Sequence, residues 1–322
     1  MSHIKRLSAL GMTLIMTVGM IPMTSLAATH RNEWVQKSDG KWYYYDENGV
    51  KVKNESVQDP SDKKYYVLDT KGARVTAKGW YTAKYRYNET YEKTNFTTKY
   101  YIKSDGSCTT GWKKIKGKYY FFDYVGEMRK NESAIKTVDG VDKRYLLGSD
   151  GTRITKKGWH QVTYKYLYYY GEVRSTKNKY YVKSDGTVAT GIKKIKGKKY
   201  VFNHEGVLTK NSYASKHNAD TRSYSYYMAD KNGVLITKKG WHTYKYDYPS
   251  KGYAYNNSTK GTHKVYIGSG GKLVTGLREI DGKYYYLDPY ARKNTKYTDP
   301  DTGITYFFGK SGACTKTYQT DA

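Results

Sequence analysis

The segment TGWKKIKGKYYFFD, Thr110 to Asp123, decides the fold, because it returns as TGIKKIKGKKYVFN from Thr190 and as TGLREIDGKYYYLD from Thr275, offsets of 80 and 85 residues. A second marker keeps the same beat: Lys78-Gly79-Trp80 recurs as Lys157-Gly158-Trp159 and Lys239-Gly240-Trp241. Self-similarity at a fixed period is the mark of a repeat architecture. Inside each large period lie three smaller units, each an aromatic pair, a polar turn containing Gly and a short return. Eleven such units are expected, with aromatic pairs near Tyr44, Tyr66, Tyr101, Tyr120, Tyr145, Tyr181, Tyr200, Tyr227, Tyr266, Tyr285 and Tyr306. The dipeptides Asp105-Gly106, Asp150-Gly151, Asp185-Gly186, Asn48-Gly49 and Asn232-Gly233 tolerate the positive φ of a tight hairpin turn. A lone hairpin has one face to bury and nothing to bury it on, so neighbours must stack. The expected fold is all-β, an elongated solenoid of stacked β-hairpins over residues 29–322.

Composition agrees with that reading. Leu, Ile, Val and Phe together supply only 51 of 322 residues, and the net charge is +28, a combination that on its own points to disorder. Forty Tyr and 6 Trp point the other way, since each such ring can bury roughly 150 to 250 Å² while its polar tip stays wet. Long aliphatic runs are missing, which excludes a Leu-rich helical bundle or a doubly wound α/β enzyme. The first 28 residues form a separate object: Lys5 and Arg6 precede an apolar stretch from Leu7 to about Ile21, followed by Ser25-Leu26-Ala27-Ala28. This reads as a secretory signal peptide, too short in its apolar part for the roughly 20 residues of a membrane span. No Cys follows the cleavage region to carry a lipid, and the polar stretch Lys316 to Ala322 has no sorting signal, so surface attachment is expected to be noncovalent. Cys108 and Cys314 occupy matching slots of distant repeats and are expected unpaired.

The grammar of the units, Gly-Trp, polar residues, Gly-Lys, two or three aromatics, Asp and a Gly turn, resembles the cell-wall-binding repeat family, which includes choline-binding and glucan-binding repeats of Gram-positive surface proteins. The likeness runs from about Trp34 to Lys316. It implies a hairpin solenoid whose aromatic rings form shallow cages or platforms for choline or sugars. The Gly-Trp slot is held by Trp80, Trp112, Trp159 and Trp241, with Trp34 in a related place, and becomes Ile192 and Leu277 elsewhere. The second cage slot, after Gly-Lys, is Trp42 in one unit but Tyr119, Lys199 and Tyr284 in others. A strongly basic surface repels a cation, and cation–π attraction is worth only about 0.5 to 1 kcal/mol at exposed sites. Neutral or anionic wall glycans therefore rank above choline. The candidate ligand-binding tryptophans are Trp42, Trp80, Trp112, Trp159 and Trp241; packing is the plain alternative for every ring in so aliphatic-poor a chain.

After each Lys-Gly-Trp marker an extra 17 to 22 residues break the spacing. Tyr falls at plus five and plus seven from the Trp each time: Tyr85 and Tyr87, Tyr164 and Tyr166, Tyr246 and Tyr248. Spacing of two puts both rings on one strand face, so these stretches are expected to be longer hairpins carrying three further candidate sites; cross-strand pairing within each hairpin is the structural alternative. Lysine is spread through all repeats, as in Lys113-Lys114 and Lys193-Lys194. A long basic rod, once exported, faces anionic envelope polymers such as teichoic acids, or glycans, and export leaves no physiological role for nucleic acid. His160 and His242 share a slot while the other His are scattered, so neither a metal site nor a nucleophile with its base can be assembled by spacing. No enzyme and no cofactor are expected. Gly268-Ser269-Gly270-Gly271-Lys272 lacks phosphate-loop spacing and reads as a turn variant. Three functions remain in view: noncovalent binding of wall or polysaccharide, a structural or adhesive surface protein, and a binding subunit for a separately encoded wall enzyme.

Overall fold

The computed structural model describes residues 30–85, 96–167, 173–218, 222–248 and 259–319. The proposed leader and Tyr87 lie outside them. Eleven antiparallel hairpins follow one another along the chain. They are β1 (Glu33–Gln36) with β2 (Trp42–Tyr45), β3 (Ser56–Gln58) with β4 (Tyr65–Val67), β5 (Gly79–Tyr85) with β6 (Phe96–Ile102), and β7 (Gly111–Ile115) with β8 (Lys118–Phe122). Next come β9 (Ser133–Val138) with β10 (Val141–Leu146), β11 (Gly158–Leu167) with β12 (Val173–Val182), and β13 (Gly191–Ile195) with β14 (Lys198–Phe202). The series ends with β15 (Ser212–Asn218) and β16 (Ser223–Ala229), β17 (Gly240–Tyr248) and β18 (Thr259–Ile267), β19 (Gly276–Ile280) and β20 (Lys283–Leu287), and β21 (Thr295–Thr298) with β22 (Ile304–Phe308), to which β23 (Cys314–Gln319) adds a third strand. All eleven aromatic pairs expected from sequence sit on the second strand of their hairpin. Among the described residues there is no α-helix, and the variant Gly-Ser-Gly-Gly turn is a single 3-10 turn at Ser269–Gly271.

The turns do two jobs, and the Asp-Gly dipeptides are not where the main strands reverse. Within β7–β8 the reversal is made by Lys116 (φ 46°) and Gly117 (φ 81°), both left-handed as a type I′ turn requires. Lys196-Gly197 and Asp281-Gly282 repeat it. Asp105-Gly106 lies after the second strand instead: the Gly106 amide donates to the Lys103 carbonyl (3.0 Å) and the Lys103 amide to the Ser107 carbonyl (2.8 Å). This turn folds a short tail back so that Cys108 pairs with Ile102. Each unit is therefore a hairpin plus a tail, and the two Gly turns look alike in sequence because both pair a polar residue with a glycine at positive φ.

The tail is what joins neighbours. The Cys108 amide donates to the Tyr65 carbonyl of the preceding hairpin (2.7 Å), and the same bond recurs as Arg74 to Trp42, Met128 to Lys99, Arg153 to Tyr119, Val188 to Arg144, Leu208 to Lys179, Leu235 to Lys199, Leu273 to Tyr226 and Ala291 to Lys264. Hydrophobic burial follows the same junctions as a chain of small clusters, such as Val67, Ala83, Tyr100, Ile102 and Cys108, or Leu146, Val162, Tyr180, Val182 and Val188. Tyr100 and Tyr180 are among the most buried side chains, so tyrosine does supply the core. Three hairpins exceed most of the rest: β5–β6, β11–β12 and β17–β18, with strands of 7, 10 and 9 residues. They begin at the three Lys-Gly-Trp markers, as the Tyr-rich insertions foretold. Cys108 and Cys314 are both free thiols, and burial pushes the Cys108 thiol up to about 12.

Candidate ligand cages at the hairpin junctions

In every unit that keeps Trp at the start of its first strand, the register places an aromatic residue directly opposite, and the next hairpin brings up another. Trp80 faces Tyr101 across β5–β6 (ring centroids 5.4 Å) and Tyr120 of β8 (5.0 Å). Trp159 faces Tyr181 (5.2 Å) and Tyr200 (5.0 Å), and Trp241 faces Tyr266 (5.2 Å) and Tyr285 (4.7 Å). The tail residue of the following hairpin, Met128, Leu208 or Ala291, is buried beside each trio. Its amide bonds the carbonyl of Lys99, Lys179 or Lys264, which fixes one lysine at the same register position in each case. The ammonium of Lys179 lies 4.7 Å from the Trp159 ring and that of Lys264 lies 3.9 Å from Trp241. Trp80 remains 41% exposed. The product is a cage of three rings with an apolar side, present three times, with a lysine ammonium over the tryptophan in the Trp159 and Trp241 cages.

Trp34 and Trp112 form trios of the same plan with a different filling. Trp34 packs on Tyr44 (5.3 Å) and Tyr66 (5.9 Å), and Trp112 on Phe121 (5.3 Å) and Tyr145 (5.6 Å). Here the tail residue is Arg74 or Arg153, and its guanidinium stacks on Tyr66 (3.5 Å) or Tyr145 (3.8 Å). The Trp112 indole donates to the Ile135 carbonyl (2.7 Å), which ties it into the scaffold. Where the Trp slot becomes Ile192, the tail residue becomes Leu235, and the pair packs in a cluster with Val201 and Tyr227.

The other sequence candidates are dispersed. Trp42 sits on β2, 40% exposed, on the strand opposite Trp34 rather than within its trio, with Gln36 as its register partner. Tyr164 is half-buried opposite Thr176; burial raises its phenol, with Glu132 and Arg129 beside it. Tyr85, Tyr166, Tyr246 and Tyr248 lie on the long strands opposite Phe96, Arg174, Gly261 and Thr259. His160 and His242 each bond the carbonyl four residues earlier, Lys156 (2.7 Å) and Lys238 (2.8 Å), and so brace the approach to the cage tryptophan. Among the described residues no group of three His, Cys, Asp or Glu could hold a metal ion, and no helix is long and apolar enough to cross a membrane. Sequence reasoning named the cage tryptophans but used their Tyr partners only as repeat markers, and it missed Arg74 and Arg153. Their signal was present in the tail slot, which holds Arg at these two junctions and Cys, Met or an aliphatic residue at the others.

A hairpin stack with aromatic cages at its junctions defines a class of binding module, and the comparisons agree. The model described as "Choline-binding repeat" matches residues 35–83, and "Putative cell wall binding repeat" matches 110–128 and 275–289. The matched segments are thus repeats similar to those of the cell-wall-binding family of the choline-binding type. Glucosyltransferase-S of Streptococcus mutans serotype c is 26% identical over 249 residues, 77% of this chain and 14% of that protein. Glucosyltransferase-S of Streptococcus downei is 26% identical over 220 residues, 66% of this chain and 14% of that one. The chain spans about a seventh of the length of these relatives. Choline binding protein F from Streptococcus pneumoniae is a solved structure at 20% identity, covering 88% of this chain and 92% of its own, with a TM-score of 0.32.

Proposed function

We propose that the chain is an exported, nonenzymatic protein that attaches noncovalently to cell-wall or other polysaccharide, through the three cages led by Trp80, Trp159 and Trp241. The observation that carries this reading is the triple recurrence of one cage with the same three rings and a lysine on the same carbonyl bond. A ring face suits the apolar face of a pyranose, and an adjacent ammonium suits its hydroxyls or an acidic substituent. The lysines over Trp159 and Trp241 disfavour a free cationic ligand there, which keeps neutral or anionic glycans and teichoic acid-like polymers ahead of choline. The glucosyltransferase relatives make glucan the first polymer to try. The Tyr pairs of the long hairpins are secondary candidates.

Charge supports the same partner. Many carboxylates are used internally: Asp46, Asp69 and Asp230 each accept two backbone amides within their own turn. Burial pushes Asp185 up, but hydrogen bonds from Thr187 and Lys183 outweigh it and hold the carboxyl at about 2. With acids committed to turns, exposed lysines such as Lys113, Lys114, Lys193 and Lys194 are left to attract polyanions at the range of about 8 Å that physiological salt permits. Retention on insoluble dextran, peptidoglycan, teichoic acid and choline resin tests the proposal. Saturable retention on at least one polysaccharide is expected; retention on none would favour the purely structural function.

A further inference from the structure

The two arginine-filled trios carry an inference that rests on reading the trios as ligand cages. We propose that Arg74 and Arg153 are specificity determinants, each a resident cation that occupies the ligand position of its own cage and thereby withholds the Trp34 and Trp112 junctions from cationic ligands. Each guanidinium lies on a tyrosine face at stacking distance, 3.5 Å at Tyr66 and 3.8 Å at Tyr145. Arg74 also lies 5.9 Å from the Trp34 ring. Both Nε atoms are buried and lack a protein hydrogen-bond partner, and Arg74 Nη2 donates to the Asp105 backbone carbonyl (3.4 Å), so ring contact, with that one carbonyl at Arg74, holds these groups in place. That is the environment in which cation–π attraction is strongest.

The other side is closed by the next hairpin. A Cβ added to Gly186 would come within 2.8 Å of Arg153 Nη2, and one on Gly106 within 3.4 Å of Arg74 Nη2. The guanidinium is therefore sandwiched between a ring and a glycine turn, twice, 79 positions apart. The three cages of the other class put Met128, Leu208 or Ala291 in this tail position, and none of these can supply a cation. Where the Trp is lost, at Ile192, the arginine is lost too and Leu235 replaces it. Among the described junctions the arginine occurs only where a Trp-led trio is present, at Trp34 and Trp112. The lysines over Trp159 and Trp241 differ in kind: Lys179 and Lys264 are strand residues with flexible stems, and a ligand can displace them.

Tetramethylammonium chloride, matched against sodium chloride at equal ionic strength, is the probe, and the indole N–H resonances of the full chain are the readout. In the native protein the Trp34 and Trp112 resonances should stay still. In Arg74→Ala/Arg153→Ala they should shift saturably, at concentrations roughly tenfold or more below any that affect them in the native chain. Arg74→Met/Arg153→Met, which keeps the apolar stem, should respond in the same way and carries the test if the alanine variant does not fold. Shifts of Trp34 and Trp112 in the native protein equal to those in the variants would overturn the proposal, as would silence in both variants. The Trp80 resonance, followed in a parallel titration with dextran oligosaccharide, reports separately on the open cages, so a failure there bears on the proposed function and not on the arginines.

Discussion

Aspartate is the residue on which the units' turns depend, and one of them carries a pH signature. Asp123 accepts the Val125 and Glu127 amides (3.2 and 2.8 Å), yet burial pushes its carboxyl up to about 6, with Arg129 only partly compensating at 3.6 Å. The native state then holds the proton more tightly than the unfolded chain. Its contribution to stability is fully present below about pH 4 and is lost as pH rises through about 6, a loss of about 3 kcal/mol for a shift of about two units. Asn203 holds the equivalent slot and makes the same two bonds, to Glu205 and Val207. Asp123→Asn should therefore fold normally and flatten the fall in urea midpoint between pH 4 and 7; an unchanged slope would remove Asp123 as its source. At this scale the sequence was half legible. Tryptophans at Gly-Trp slots announce themselves, whereas Arg74 sits 40 positions from its Trp34 and acquires meaning only when a tail folds across a junction.

At the scale of the element, the turn glycine is a packing device as well as a conformational one. Gly126 has φ 89°, and a Cβ there would lie 2.5 Å from Cβ of Cys108, the tail of the preceding hairpin. Gly233 meets Leu208 at the same distance. Each turn thus rests on its predecessor's tail. Gly126→Ala should cost about 3 kcal/mol by combining a left-handed backbone with a backbone-proximal clash, measured as a lower thermal midpoint. Gly117→Ala, where a Cβ meets nothing within 4 Å, should cost only the conformational part, about 1 to 2 kcal/mol. Equal losses at the two sites would contradict the stacking account. Hairpin number and the position of the long hairpins were readable from spacing and aromatic pairs. The reversal points were not, since Lys116-Gly117 and Asp105-Gly106 are both polar-Gly pairs and only the register tells which one joins paired strands.

For the whole molecule, nearest-neighbour bonds and junction clusters make stability a sum of repeats and interfaces, and they hold three equivalent cages at near-constant spacing along one scaffold. Such a ruler suits a repeating polymer, where weak sites combine through effective concentration. If charge dominates, retention should drop steeply as salt rises; if ring stacking dominates, free sugar should compete at any salt. The most direct test is retention of Trp80→Ala, Trp159→Ala and Trp241→Ala, singly and together, on the polysaccharide that holds the native chain, with thermal unfolding followed in parallel. Single variants should lose roughly tenfold in apparent affinity and the triple variant a hundredfold or more, with midpoints changed far less than binding. A triple variant retained like the native protein, or weakened only as far as it unfolds, would contradict the cage account.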